Sequence, residues 1–437
     1  MSKFLMVMAL FFAALSPNAI GMTPAGISGG GSAVQNVNPV IEWNRTLLVI
    51  VRTPGAQPAT IHPTRSFAIM HAAVYDAVNA IAKTHKVFLV HVPGAPREAS
   101  KNAAAAAAAH KVLVALYPSF QAQLDAQFQQ DLAQIHDAED VQEGVSIGET
   151  VATQILAIRA NDGSSVKPGP FVFGTAPGDY QSTPPNFPQP QFTEWSHVTP
   201  FALRSARQFR PGPPPALNSD TYGDAFLEVK SVGVENSTTA TADQALTGRF
   251  WNGAIQNYWN EITQTAALGH QLSTAESARL FALLNISLAD GVIAFYDAKY
   301  TYTFWRPVTA IRAADPNVNR DTTPDPNWLP EVVKTGNDPS YPGAHGVLSA
   351  VGGFVLDSFF ERDRFSFTVT SEVLPGVTRS FNKFSSAVKE ATLSRIFAGQ
   401  HFRFDQETGN QLGRNVADFV VDHFLTEREH EDGDDRD

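Results

Sequence analysis

Cysteine is absent from this chain of 437 residues. That excludes a disulfide framework, thiolate zinc or iron–sulfur sites, a cysteine nucleophile and a lipidated cysteine. Charge is sparse, at 17% Asp, Glu, Lys and Arg, and positive charge is the minority: 32 Lys and Arg against 43 Asp and Glu, a net −11. No basic stripe relieves that balance, and an acidic body repels a phosphate backbone, so nucleic acid is excluded as a partner. Beyond the N-terminus no stretch reaches ~18 uninterrupted apolar residues, so no stable membrane insertion is expected of the mature chain. Any chemistry must come from carboxylates, Lys, Arg, hydroxyls and the 12 His. At 43% hydrophobic the chain is ample for a large core.

The N-terminus reads as an export signal covering residues 1–21. Lys3 is its lone positive charge, Phe4 to Leu15 a short apolar run, and Ala19-Ile20-Gly21 a small-residue end. A periplasmic or extracellular location follows as an expectation. Residues 22–426 are expected to form one large helical domain, and 427–437 a solvated, mostly acidic tail.

Most apolar segments show helical length and period. Arg65 to Ala82 is apolar nearly all round, as a buried helix is. Lys101 to Ile135 predicts one or two helices, and Val141 to Ala160 another. Between Pro168 and Pro215 fall twelve of the 29 prolines, which predicts an extended, irregular connection over about 162–216. Its aromatics (Phe171, Phe173, Tyr180, Phe187, Trp195, Phe201) favour a segment draped over the surface. Capping boxes at Thr241–Gln244 and Ser273–Glu276 restart the helices. Long helices are expected from Ala275 to about Thr303, from Gly343 to Phe360, and from Ser385 to Leu425 with a break near Gly399. Arg364 to Thr370 is the best strand. The fold class is all-α, a helical bundle with long surface connections and its chemistry in about 241–425.

Three segments of that half carry an unusual set of side chains. Lys299 and Arg306 stand seven positions apart, two turns on one helix face, with Pro307 expected to end the helix. Pro339 to Gly346 (PSYPGAHG) is a turn-rich approach to an apolar helix, where small residues expose backbone N–H groups to an anion. Ser394-Arg395 is followed by His401 and Asp405, an i, i+4 pair in which the carboxylate can orient the imidazole. Gly399 is the expected bend that brings Arg395 and His401 together. Three cations, backbone donors and two His are the equipment for a tetrahedral oxyanion.

The ordered set K-x6-R-P, a P-S-G-H-like turn and S-R-x5-H-x3-D resembles the vanadium haloperoxidase and type 2 phosphatidic-acid phosphatase superfamily. Phe304 to Arg312 (FWRPVTAIR) and Ser394 to Asp405 (SRIFAGQHFRFD) resemble its haloperoxidase branch. That resemblance implies the all-helical haloperoxidase–acid phosphatase bundle. It implies a vanadate cofactor, with phosphate as a competing ligand, held by Lys299, Arg306, Gly343, Ala344, Arg395 and His401. His401 is the implied vanadium ligand, Asp405 its orienting partner, and His345 the acid–base. Lys299 polarises peroxide, and the product is hypohalous acid; bromide rather than chloride is expected because Asp338 departs from the family's pattern. Hydrogen peroxide, halide and an organic acceptor are the implied small-molecule substrates; oligomeric state stays open, a homodimer included. On the same pocket a phosphatase would use His401 as nucleophile through a phosphohistidine. A non-catalytic oxyanion-binding protein is the third alternative.

Two departures stand out. Gly343-Ala344 replaces the family's usual Ser-Gly, so one hydroxyl is missing from the oxyanion site. Asp338 stands where an aromatic residue or His often lies. His71 and His110 read as packed core residues, and Asp290 and Asp297 as partners in salt bridges or support. Tyr296, Tyr300, Tyr302, Phe304 and Trp305 read mainly as core.

Overall fold

The computed structural model describes residues 38–428. The segment expected to be an export signal and all but the first two residues of the acidic tail lie outside them. Thirteen α-helices and one two-stranded hairpin make up the described regular structure apart from two short 3-10 turns. The all-α expectation therefore holds.

The first five helices are α1 (Pro39–Arg52), α2 (Pro63–Ala82), α3 (Lys101–Leu116), α4 (Gln121–Leu132) and α5 (Ala138–Arg159). α2 is buried along almost its whole length, as its all-round apolar sequence requires. The stretch Lys101 to Ile135 is two helices, divided at Tyr117-Pro118, because proline restricts the residue before it to extended backbone.

Residues 160–219 then run without a long helix. The segment is draped, and α9 (Thr274–Tyr302) ties it down. The carboxylate of Asp290, fully buried, accepts N–H bonds from Phe201, Ala202 and Leu203 at 2.6, 2.7 and 2.8 Å. Asp297 takes a two-pronged ion pair from Arg210 at 2.6 and 2.7 Å. Tyr302 and Tyr341 donate hydroxyls to the carbonyls of Pro211 and Gly212. Asp76 on α2 uses the Asp290 device a second time, accepting from Phe88, Leu89 and Val90 at 2.8 Å each.

α6 (Asp220–Val232), α7 (Ala242–Phe250) and α8 (Ile255–Gly269) precede α9. Both expected capping boxes form, at Thr241 and Ser273. α9, 29 residues long, is apolar and long enough to cross a membrane. It is instead the central core helix, with Leu280, Leu284, Leu288 and Ala298 fully buried.

One expectation is corrected after α9. Lys299 and Arg306 do not share a helix. The chain leaves α9 at Thr303, a left-handed C-cap with φ 44°. Pro307 does not end that helix but opens the next, α10 (Pro307–Arg312), at its first position. Proline suits that position because its missing N–H is one the helix leaves unused.

α11 (Ala344–Phe360) follows the 313–343 connection, then the hairpin β1 (Phe367–Thr370) and β2 (Thr378–Phe381), α12 (Phe384–Phe397) and α13 (Arg403–His423). The strand expected over Arg364 to Thr370 is the four-residue β1, antiparallel to β2 with Phe367 opposite Phe381. Gly399, at φ 71°, makes the expected break between α12 and α13. α11 and α13 meet backbone to backbone: a Cβ on Gly409 would overlap the carbonyl of Gly343, and one on Gly413 that of Val347. That contact holds the ends bearing His345 and His401 side by side. At the C-terminus, Arg428 N–H bonds Thr84 O at 3.1 Å, so the first tail residues are anchored.

Candidate active site

His401 lies just before α13, and Asp405 in that helix's first turn. They touch across the helix start, not along a helix face. Asp405 Oδ2 accepts from His401 Nδ1 at 3.2 Å, from Ser340 Oγ at 2.6 Å and from the Phe402 N–H at 2.9 Å. The network thereby assigns the proton to Nδ1, and Nε2 carries a lone pair. That lone pair faces Arg306 Nη1 at 2.9 Å. Burial first, then the charges of Arg306, Lys299 and Arg395 and the neighbouring His345, hold His401 well below the usual imidazole pKa. It is a neutral, directed nitrogen nucleophile or ligand.

Lys299, at the end of α9, is 0% exposed. Its ammonium contacts the carbonyls of Pro339 and Ser340 and the Asp338 carboxylate, the last at 3.2 Å. Burial lowers its pKa to about 8 despite Asp338. Arg306 Nε donates to Asp338 O at 2.8 Å, Nη1 to Gln400 O at 3.1 Å, and Nη2 pairs with the Asp338 side chain. The two cations share one buried counter-ion. Burial pushes the Asp338 carboxyl up, but Lys299 and Arg306 outweigh it and leave the group below its ordinary value.

Arg395 is different. Its Nη1 meets only Asn252 Oδ1, at 3.1 Å, its Nε is buried without a partner, and it makes no ion pair among the described residues. Burial and then the charge of Arg306 bring it down to about 9. His345, in the first turn of α11, donates Nε2–H to Trp251 O at 2.9 Å, which leaves Nδ1 as the open acceptor. Burial, then Arg395, keeps it neutral, well below the usual pKa. Gly343 is the N-cap of α11, but its N–H is committed to Asp405 O at 2.7 Å, so Ala344 is the one of that pair whose N–H is left for a ligand.

The chain matches the family model described as the VCPO second helical-bundle domain over residues 279–429, the stretch that carries Lys299, Arg306, Asp338, His345, Arg395, His401 and Asp405. A bacterial vanadium-dependent iodoperoxidase structure superposes with a TM-score of 0.75 at 25% identity, covering 90% of this chain and 98% of that one. The vanadium chloroperoxidase of Curvularia inaequalis is 23% identical, over 86% of this chain and 80% of its own length. The chain has the fold of the vanadium haloperoxidases, and these likenesses support that superfamily. A bacterial vanadium-dependent chloroperoxidase in its holo form shares the fold at 15% identity, with a TM-score of 0.63.

The residues present fit the oxyanion that gives vanadium haloperoxidases their name. Buried Arg395 Nε and Gln406 Nε2 have no protein partner, and a charged oxygen would satisfy such donors. Among the described residues no group of three or more His, Asp or Glu is arranged to hold a metal cation. Two contributors were not legible as such. Ser340 was read only as part of a turn, and its bond to Asp405 depends on the fold bringing 340 to 405. Gln406 gave no signal at all. His71 is core, bonded to Asn44 Oδ1 at 2.9 Å, and His110 pairs with Asp125 at 2.7 Å.

Proposed function

We propose that the protein is a vanadate-dependent peroxidase that uses hydrogen peroxide to oxidise halide to hypohalous acid. The observation that carries this is the unprotonated Nε2 of His401, aimed at Arg306 inside a buried group of three cations. Vanadate bound there supplies the electrophilic centre that activates peroxide. His401 Nε2 holds it, and Ser340 with Asp405 fixes the imidazole tautomer and plane. Lys299, Arg306 and Arg395 neutralise its oxygens. Ala344 N–H lies at the start of α11, where anions are favoured. His345, neutral with Nδ1 open, takes a proton from incoming peroxide and returns it later. Bromide, rather than chloride, is the proposed halide. The Asp338 carboxylate offsets part of the positive field, which weakens the pull on a bound oxidant and confines it to the more easily oxidised halides.

The same directed nitrogen suits attack on phosphorus, so an acid phosphatase is the second reading. The test is to load metal-free protein with orthovanadate and measure peroxide-dependent bromination and phosphomonoester hydrolysis side by side. Bromination lost in His401→Ala supports the proposal. Hydrolysis inhibited by vanadate, with no bromination, replaces it with the phosphatase. Binding of vanadate without either activity leaves an oxyanion-binding protein. Export is also proposed, on the Phe4–Leu15 run; the mass of the secreted chain, lacking about 21 residues, is its check.

A further inference from the structure

The missing serine hydroxyl at position 343 has a replacement. A Cβ built on Gly343 would overlap the carboxamide nitrogen and carbon of Gln406, and would lie 2.9 Å from its Oε1. A serine side chain at 343 would therefore displace the Gln406 carboxamide from its present place, because both need the same volume. Gln406 follows Asp405 in α13 and is 0% exposed. Its Oε1 accepts the Gly346 N–H at 2.8 Å, which fixes the rotation of the amide. With Oε1 so placed, Nε2 is the group beside Gly343, and it is buried without a hydrogen-bond partner. A buried amide nitrogen left unpaired is costly, and native proteins satisfy such a donor with a protein group, an ordered water or a ligand.

We infer that Gln406 is an oxyanion-binding residue, its Nε2–H donating to an oxygen of bound vanadate or phosphate from the volume that a serine at 343 would occupy. This rests on the oxyanion site proposed above. The amide lies between the segments that carry the two histidines, so it reaches the anion from the α11 side, while Lys299 and Arg306 reach it from the end of α9 and its exit. Glycine at 343 then leaves room for the Gln406 carboxamide in this position, and the two positions are to be treated as one unit.

The test is calorimetric titration of metal-free protein with orthovanadate and, separately, with inorganic phosphate, together with the 51V resonance of bound vanadate. Gln406→Ala is expected to weaken both anions about ten- to a hundredfold, the range for losing one hydrogen bond to a charged group. Restoring the hydroxyl in Gly343→Ser/Gln406→Ala is expected to recover most of that loss. Gly343→Ala/Gln406→Ala, which fills the same space without a donor, is expected not to. This Ser-against-Ala comparison decides the matter even if Gln406→Ala alone folds poorly. Equal affinity of the two double variants, or of Gln406→Ala and the unaltered protein, overturns the assignment while the oxyanion site stands. Failure of the unaltered protein to bind either anion removes the site and this inference with it.

Discussion

Replacing Asp338 with Asn tests whether the cation cluster is held in reserve for an anion. Asp338 Oδ2 lies 3.2 Å from Lys299 Nζ, and Oδ1 contacts Arg306. An oxyanion oxygen that shares Lys299 sits about 2.8 Å from Nζ, so it lies no more than about 6 Å from the Asp338 carboxylate. At an effective dielectric near 20, two unit charges at that distance repel by about 3 kcal/mol, roughly a hundredfold in affinity. Part of this gain is lost, because Lys299 without Asp338 falls below its pKa of about 8 and must bind a proton near pH 7 to serve the anion. The expected net effect of Asp338→Asn is phosphate and orthovanadate binding about ten- to a hundredfold tighter. Without anion the variant should be less stable, by about 3 kcal/mol, since two buried cations lose their counter-charge. Added anion should restore the melting temperature. Calorimetric titration and thermal melts of the metal-free protein measure both. Unchanged or weaker affinity, in a variant with native circular dichroism, would refute the idea that Asp338 and the ligand compete for the same two cations.

Asp290→Ala strands the buried N–H groups of Phe201, Ala202 and Leu203; a loss of about 3 kcal/mol is expected, with limited proteolysis appearing in 168–215. His71, held neutral by burial with a pKa of about 3 against 6.5, binds a proton in the unfolded chain first. Stability from it is therefore full above 6.5 and lost as pH falls towards 3. Denaturant melts at pH 7 and pH 5 should show His71→Gln escaping about 2 kcal/mol of the decline seen in the unaltered chain. Gly413→Ala places a methyl against the Val347 carbonyl and should cost more than about 2 kcal/mol while weakening orthovanadate binding, because it pries α11 from α13. A variant that keeps its melting temperature and affinity would show that this close contact is dispensable.

Local signals were the ones legible in the sequence. Capping boxes at Thr241 and Ser273 act within four residues, and the Gly399 break needs only a positive φ, so both could be read from the chain alone. Pro307 was misread because proline both follows helix ends and opens helices, and sequence does not say which. The left-handed turn that decides it falls on Thr303, a β-branched residue with no preference for that backbone. The His401–Asp405 spacing pointed to a true contact through the wrong geometry, since i and i+4 also meet across a helix start. The draping of 168–215 showed in its aromatics. Its fastening did not, because Asp290 acts on backbone N–H groups that any sequence at 201–203 supplies. Asp338 was noticed as a departure, but its embrace of both Lys299 and Arg306 requires the 313–343 connection to fold back onto the end of α9.

The glycine-lined contact between α11 and α13 works as a ruler made of main chain. Two helices separated by side chains change their spacing whenever the core repacks, whereas Gly409 and Gly413 leave no side chain between them to vary. The separation of His345 from His401 is thus insulated from drift elsewhere in the molecule. Variation that retunes the chemistry must enter through the residues that surround the histidines and the cations beside them. Positions 338, 343 and 406 are where a library should be aimed, with 409 and 413 left untouched.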